Sequence, residues 1–464
     1  MPRLMGALAA LTLFGCVHTY DYPKLIERPA STPARIVFHD VRVFDSVAGT
    51  ALEHQDVVVE GEKIASVTPT AAAPAGATVI EGAGKTLLPG YVDIHTHVEL
   101  SASAPWAIAL PNADHAGRAL LRSGITSALD MGGDPGKLAD LAKRQAKGEW
   151  LGPRLWYPGK IITPKGGYPA SFVRMAIGWP LGDVAADDTS TEIGSAAEGV
   201  KEVDDRVNAG AHHLKVAVAQ VPLGTPVFDL AELKPIVDEA KAKGLWTAAH
   251  VDTAEHMLLA AHAGVMVMVH GVHLGELTVD QAKELASLGV KVAPTLDVWD
   301  RIEQVREYRY QPTETERHLF PEGILHEFDP VVVHKQSLDP KLIEWMNALQ
   351  ASHAKRIAAV MTLHDAGVEL LVGADDNGSA ACWAGGAFLD ELRLLHEAGL
   401  SNAEVLSAAT LHGARLVMPE PDFGEVAVGK RADLVLVEGN PLDDITATSR
   451  IAEVMQGGVR MKLE

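Results

Sequence analysis

The sequence predicts an α/β chain: a (β/α)8 TIM barrel carrying a small β-sandwich built from both chain ends. Three observations carry that reading. Eight short apolar segments alternate with helical ones through the middle of the chain, period-two strand patterns stand at both ends, and ionisable residues repeatedly close the apolar segments. A length of 464 residues leaves room for one large barrel and an accessory domain. The expected boundaries are a signal-type segment over 1–16, a tether over 17–33, an N-terminal sandwich segment over 34–88, the barrel over 89–419 and a C-terminal sandwich segment over 420–464.

Arg3 supplies a minimal positive start, Leu4 to Phe14 form an apolar stretch short for a membrane span, and Leu13-Phe14-Gly15 leads into Cys16. The segment reads as a bacterial lipoprotein signal, cleaved before Cys16 and lipidated on its sulfur; an ordinary secretory signal and a native N-terminus are the alternatives. The other cysteine is Cys382, so lipidation of Cys16 leaves no disulfide to form. Val17 stands where inner-membrane retention in Gram-negative bacteria typically uses Asp, so the expected location is the periplasmic face of the outer membrane. Pro23, Pro29 and Pro33 mark the tether that follows.

From Arg35 the segments RIVFHDVRVFD and DVVVEGEKIASVTP alternate apolar and polar positions, as small antiparallel sheets do. GEVAVGKRADLVLVEG at 424–439 and EVMQGGVRMKLE at 453–464 repeat the pattern, so both termini build the sandwich. Between them the strand candidates are YVDIHTH, GITSALD, RLWYPG, HHLKVAV, LWTAAH, VMVMVH, VKVAPT and ELLVGAD. Helical segments such as DHAGRALLRS, LAELKPIVDEAKAK and AEHMLLAAHAG separate them. The stretch 300–340 breaks the rhythm. It is charged, rich in aromatic residues and prolines, and long for a connection, which suits a cover over the barrel mouth.

Charge limits the partners. With 61 acidic against 40 basic residues the formal net charge is -21, which repels phosphate backbones and argues against nucleic acid. Past the first residues no apolar run approaches the roughly 18 residues of a membrane span, so membrane contact is expected through the N-terminal lipid alone. Oligomeric state is left open, a homo-oligomer included.

The run LPGYVDIHTHVEL at 88–100 places two histidines at the end of a strand. Alternate residues of a strand share a face, so His95 and His97 project together, their Cα atoms roughly 7 Å apart. Such a pair can reach one metal ion, though alone it reads more readily as surface or capping histidines. Its company decides. Lys215 lies in the fourth strand candidate, His250 closes the fifth, His270 the sixth and Asp375 the eighth. Core positions of a barrel should be branched and apolar, so this recurrence at the strands' C-terminal ends points to a site. Histidine with carboxylate suits zinc and similar divalent ions.

These segments, together with GPRLWYPG, GAHHLKV, AGVELLVGADDN, AATLHGARLV and VGKRADLVLVEGNPLDDI, resemble the amidohydrolase superfamily of metal-dependent hydrolases. The resemblance is to its imidazolonepropionase-like and Xaa-Pro or Xaa-Arg dipeptidase-like branch, and it spans about residues 35–464. It implies two divalent metal ions, zinc being the expected element. His95, His97 and Asp375 would hold one, His250 and His270 the other, and a carboxylated Lys215 would bridge them. It further implies hydrolysis of a C–N bond in a small substrate such as a dipeptide or N-acyl amino acid.

The chemistry asks for such a set. A lysine ammonium cannot ligate a cation, whereas the neutral amine adds carbon dioxide to give two oxygen donors, and burial beside metals favours that neutral amine. Two metals acidify the water between them and polarise the carbonyl, Asp375 moves the proton to the leaving nitrogen, and His270 or a histidine near it helps hold the carbonyl oxygen. Asp376 rivals Asp375, but the family's Gly-x-Asp pattern falls on Gly373, Ala374 and Asp375. Asp93 shares parity with the histidine pair and either orients it or serves the strand's start.

Several points stay open. Relatives commonly carry a histidine where Gly166-Gly167 is followed by Tyr168, which makes Tyr168 either a substrate contact or packing. His213 shares parity with Lys215, and some superfamily members bind one metal and lack the lysine. Cys382 is read as a small buried hydrophobe, and GAGKT at 82–86 fails as a phosphate loop because Val79 stands where Gly is needed. The alternative functions are attack by the same centre on a lactone, cyclic amide or organophosphate ester, and a non-catalytic surface lipoprotein.

Overall fold

The computed structural model describes residues 20–464 except 72–75, 101–103, 108–110, 179–180, 351–352, 377 and 379. Cys16 and the signal-type segment lie outside the described residues. In chain order the N-terminal strands are β1 (Ile26–Glu27), β2 (Arg35–Asp45), β3 (Thr50–Glu60), β4 (Lys63–Pro69), β5 (Thr78–Glu81) and β6 (Lys85–Pro89). The middle of the chain adds β7 (Tyr91–Thr96), β8 (Ile125–Asp130), β9 (Arg154–Trp156), β10 (Ile161–Pro164) and β11 (Ser190–Ile193). It continues with β12 (His213–Val218), β13 (Trp246–Val251), β14 (Val267–Val269), β15 (Lys291–Ala293) and β16 (Glu369–Leu370). The last are β17 (Leu434–Glu438), β18 (Ile451–Gln456), β19 (Val459–Arg460) and β20 (Lys462–Leu463).

Both chain ends build one mixed sheet in the order β19-β18-β17-β6-β2-β3-β4, with β5 alongside β2. Alternation does the work here: Ile36, Phe38, Val57, Val59, Leu87, Leu434 and Leu436 turn to one separate apolar core. The edge strand β4 returns toward the start of β17, since Ile64 N donates to Lys430 O and Ala432 N to Glu62 O.

The middle of the chain is α/β with parallel pairing throughout. β11-β10-β12-β13-β14-β15-β16 form one sheet and β7-β8-β9 another. All eight expected segments contain a strand. Backbone hydrogen bonds join the two sheets on both flanks: Ile94 N to Val372 O at 3.0 Å and Asp375 N to His95 O at 2.7 Å on one side, His212 N to Tyr157 O at 2.9 Å on the other. The strands are buried almost end to end, as parallel strands covered by helices must be. The covering helices start on side-chain caps, for instance the Asp229/Glu232 capping box ahead of Leu230–Ala242 and Ser195 ahead of Ala196–Asn208. No helix among the described residues is long and apolar enough to cross a membrane.

Two features differ from expectation. The tether is shorter than 17–33. Leu25 and Ile26 are fully buried, β1 pairs with β20, and Arg118 Nη1 donates to Ile26 O at 2.7 Å, so the chain is already docked at this point. The 300–340 stretch, read as a long connection, is largely helical. Leu296–Arg306, Glu314–Leu319, Glu322–Leu325, Pro330–Val333 and Pro340–Gln350 are all helices; a Thr313/Glu316 capping box opens the second and Pro330 the fourth.

Candidate metal centre

The six residues singled out at the strand ends converge. His95 lies in β7 and His97 just past it, Lys215 in β12, His250 in β13, His270 directly after β14, and Asp375 beyond β16. Each is at most 8% exposed, which for six ionisable groups requires mutual compensation or a bound ion. His95 Nε2 stands 3.3 Å from His97 Nε2, and Asp375 Oδ1 lies 3.4 Å from the first and 3.2 Å from the second. Ligands about 2.0–2.1 Å from a tetrahedral zinc are separated by about 3.3–3.4 Å, the edge of that tetrahedron. The three atoms therefore already hold the spacing of one face of a zinc site. His95, His270 and Asp375 also present ligand atoms within 4.8 Å of one another.

A second group adjoins the first. The His250 and His270 rings have centroids 4.0 Å apart, and His250 Nε2 is buried with no hydrogen-bond partner. His270 Nδ1 is 2.8 Å from Thr295 Oγ1 and 3.9 Å from Asp375 Oδ2. An Nδ1–H donating to Thr295 would leave the lone pair of His270 Nε2 for a metal. Burial, reinforced by neighbouring positive groups, holds the His95, His250 and His270 imidazoles well below the ordinary range, so they are neutral donors. Burial also lowers the Lys215 ammonium to about 7, against the opposing pull of Asp375 and Asp130.

Carboxylates behind these groups fix the backbone that carries them. Asp93 Oδ1 accepts from His95 N at 3.0 Å and from Ala374 N at 3.1 Å, stapling the first and last ligand segments together. Both bonds are to backbone N–H groups and His95 Nδ1 has no hydrogen-bond partner among the described residues, so Asp93 fixes the backbone of the strand and not the imidazole rings. Asp376 takes His97 N at 3.3 Å, while Asp375 faces the ring nitrogens, which separates the two neighbours by role. Gly373 explains how the segments come so close: a Cβ there would lie 2.7 Å from His95 Cβ. His270 (φ 78°), Thr295 (φ 50°) and Asp375 (φ 54°) are all in the left-handed region, a strain of about 1–3 kcal/mol each that marks functional sites.

The Amidohydrolase family profile matches residues 86–461. The chain belongs to the amidohydrolase family. An imidazolonepropionase of Micrococcus luteus is 24% identical to it over 415 residues, covering 84% of this chain and 89% of that one. An ochratoxinase of Aspergillus niger is 24% identical over 364 residues, covering 74% and 66%. Among solved structures, a prolidase complexed with N-methylphosphonate-L-proline superposes with a TM-score of 0.72 at 24% identity, covering 93% of this chain and 100% of that one. This amidohydrolase is accordingly a hydrolase of carbon–nitrogen bonds in small molecules, in a family that usually binds divalent metals.

The remaining expectations sort by position. Tyr168 packs its ring 4.3 Å from that of His250 and lines the same cavity as Asp375. His213 is stacked on Trp246, its neighbour in register, at 4.5 Å, one step down the strand from Lys215. The Cys382 thiol is buried 3.3 Å from Ala374 O and 3.4 Å from Asp297 Oδ2, and burial raises its pKa well above the ordinary value, so it packs rather than reacts. Sequence reading missed Asp130, which closes β8, accepts from Val98 N and Gly132 N, and interacts electrostatically with His97 and Lys215. It also missed Trp299, stacked on His273 at 3.9 Å, and Trp345; both line the cavity.

Proposed function

We propose that this amidohydrolase is a binuclear metallo-hydrolase that cleaves the amide or peptide C–N bond of a small substrate. Eight of its ten parallel strands, β7–β9 and β12–β16, are read as the staves of a (β/α)8 barrel, with the terminal sheet as the accompanying β-sandwich. The observation that carries the proposal is the triangle of His95 Nε2, His97 Nε2 and Asp375 Oδ1, with sides of 3.2 to 3.4 Å. His95, His97 and Asp375 would hold one divalent ion, His250 and His270 a second, and Lys215, as its carbamate, would join them. Divalent ions bound there supply a Lewis acid for the scissile carbonyl and a lowered pKa for the attacking water.

The chain's own residues do the rest. Asp375 receives the proton of the attacking water and returns it to the leaving nitrogen, which must depart as an amine. His270 was expected both to ligate and to hold the carbonyl oxygen. With Nδ1 engaged by Thr295 and Nε2 given to a metal, it has no proton left to donate. The donor role passes to Tyr168, whose hydroxyl keeps its proton because burial, and then the charge of Asp375, raise its pKa.

A panel of dipeptides, N-acyl amino acids and neutral amides, run beside a lactone and an organophosphate ester, tests the reaction class. Amide turnover that is lost on chelation and restored by zinc is the expected result. Turnover confined to the lactone or the phosphate ester would overturn it.

Location is a separate proposal and rests on Leu13 to Cys16. Wild-type protein should partition with outer membranes, and Cys16→Ala should yield active enzyme in the soluble fraction or uncleaved precursor. Wild-type protein recovered as soluble periplasmic material starting after Cys16 would refute the anchor and leave the hydrolase intact.

A further inference from the structure

A cavity of about 200 Å³ opens onto the metal centre at His250 and Asp375. Away from those two residues its wall is mainly aromatic and apolar: Trp106, Tyr168, Phe172, Trp299 and Trp345 are its largest side chains, and Gln336, Ser337 and Asp339 are polar. The segment 296–350 supplies more of this wall than any other, with Trp299 and Trp345 edge to face at 6.3 Å and Phe172, from Ala170–Ile177, 6.2 Å from Trp345. The charged side chains among the described lining residues are Asp375 and Asp339; none is lysine or arginine. The neighbouring segments 101–103, 108–110 and 377–379 contain no basic residue in the sequence either. The indole Nε1 atoms of Trp299 and Trp345 are buried without hydrogen-bond partners. These donors are neutral, and a neutral acceptor satisfies them without bringing a charge into the cavity.

An anionic group placed against the aromatic wall would lose hydration there and meet no cation among the described lining residues away from the metal centre, while Asp339, exposed to solvent, adds a charge of the same sign. We propose that the part of the substrate occupying this cavity is bulky, aromatic or branched apolar, and free of carboxylate, so that neutral amides are preferred over dipeptides and N-acyl amino acids bearing a free acid. The proposal rests on the amide-hydrolase reading and narrows it. The wall sets the class by two demands at once: apolar area to fill, which gives affinity, and absence of a counter-ion, which gives discrimination.

N-phenethylbenzamide and N-benzoylphenylalanine test this, because they share both rings and the scissile amide and differ by the carboxylate. Binding is read from quenching of tryptophan fluorescence on zinc-loaded Asp375→Asn protein, and turnover on the zinc-loaded wild type. The neutral amide should bind at least about tenfold more tightly and show the higher kcat/KM. Leu342→Arg, which places a cation at a half-buried position of the cavity wall, should shrink that ratio by favouring the acid. Equal or tighter binding of the acid by the unsubstituted cavity, or a ratio unmoved by Leu342→Arg, overturns the proposal. Selective binding of the neutral amide with no turnover supports the cavity's preference while counting against amide hydrolysis, so the two readings fail separately.

Discussion

Asp375→Asn should leave the fold and its burial pattern intact and lower kcat by about 10²-fold or more. The asparagine keeps the size of the side chain and one oxygen that can face His95 Nε2 and His97 Nε2, at the 3.4 and 3.2 Å now spanned by Asp375 Oδ1. It cannot accept the proton of the attacking water, so the leaving nitrogen must depart unprotonated or wait for solvent. KM should move far less than kcat, because the aromatic side chains of the cavity wall are unchanged. A substrate whose leaving group needs no proton, such as a nitrophenyl ester, should lose much less than an anilide. Near-normal anilide hydrolysis in Asp375→Asn would move the proton transfer to another group, and Asp376 would be the wrong place to look. Its carboxylate is engaged by the backbone N–H of His97.

The regions of this protein that sequence reading reached are those governed by short periodicity. Eight of the ten parallel strands were legible because each is an apolar run ended by a turn or a charged residue, and that ending is also what revealed His250, His270 and Asp375. The same signal points to Asp130, the last residue of GITSALD, whose hold on Val98 N and Gly132 N places it behind His97. Strands β10 and β11 escaped because their apolar runs are two residues or fewer, and they form by pairing, β10 with β11 from Ile161–Ser190 onward and with β12 at Ile162–Val216. The docking of Leu25 and Ile26 was hidden for a similar reason: two apolar residues among prolines carry no period, and β20, which they pair with, lies at the opposite end of the chain. The helices of 296–350 were obscured by charge. Arg301 sits buried among Asp297, Glu316 and Asp390, so part of that charge forms internal ion pairs behind the cavity wall.

Lys215 carries the other large expected effect. Five protein donors and a carbamate exceed what one four-coordinate zinc can use, so the wild-type protein should contain close to two divalent ions per chain. Lys215→Ala removes the group assigned to join them. His95, His97 and Asp375 do not depend on it for their spacing, which is set by Asp93 and by the approach of Gly373 to His95. The variant should therefore retain about one ion per chain, keep its circular dichroism spectrum, and lose on the order of 10²-fold in turnover. Alanine also leaves a fully buried space where the lysine chain lay, since Lys215 is 1% exposed in the wild type. A short carboxylate such as acetate or propionate fits that space and offers the two oxygens the carbamate would have provided. Adding it should restore some of the activity and raise the metal content together, which a merely structural lysine would not permit. One ion per chain in the wild type, unchanged with activity in Lys215→Ala, would overturn the binuclear reading and leave this amidohydrolase a single-metal centre built on His95, His97 and Asp375.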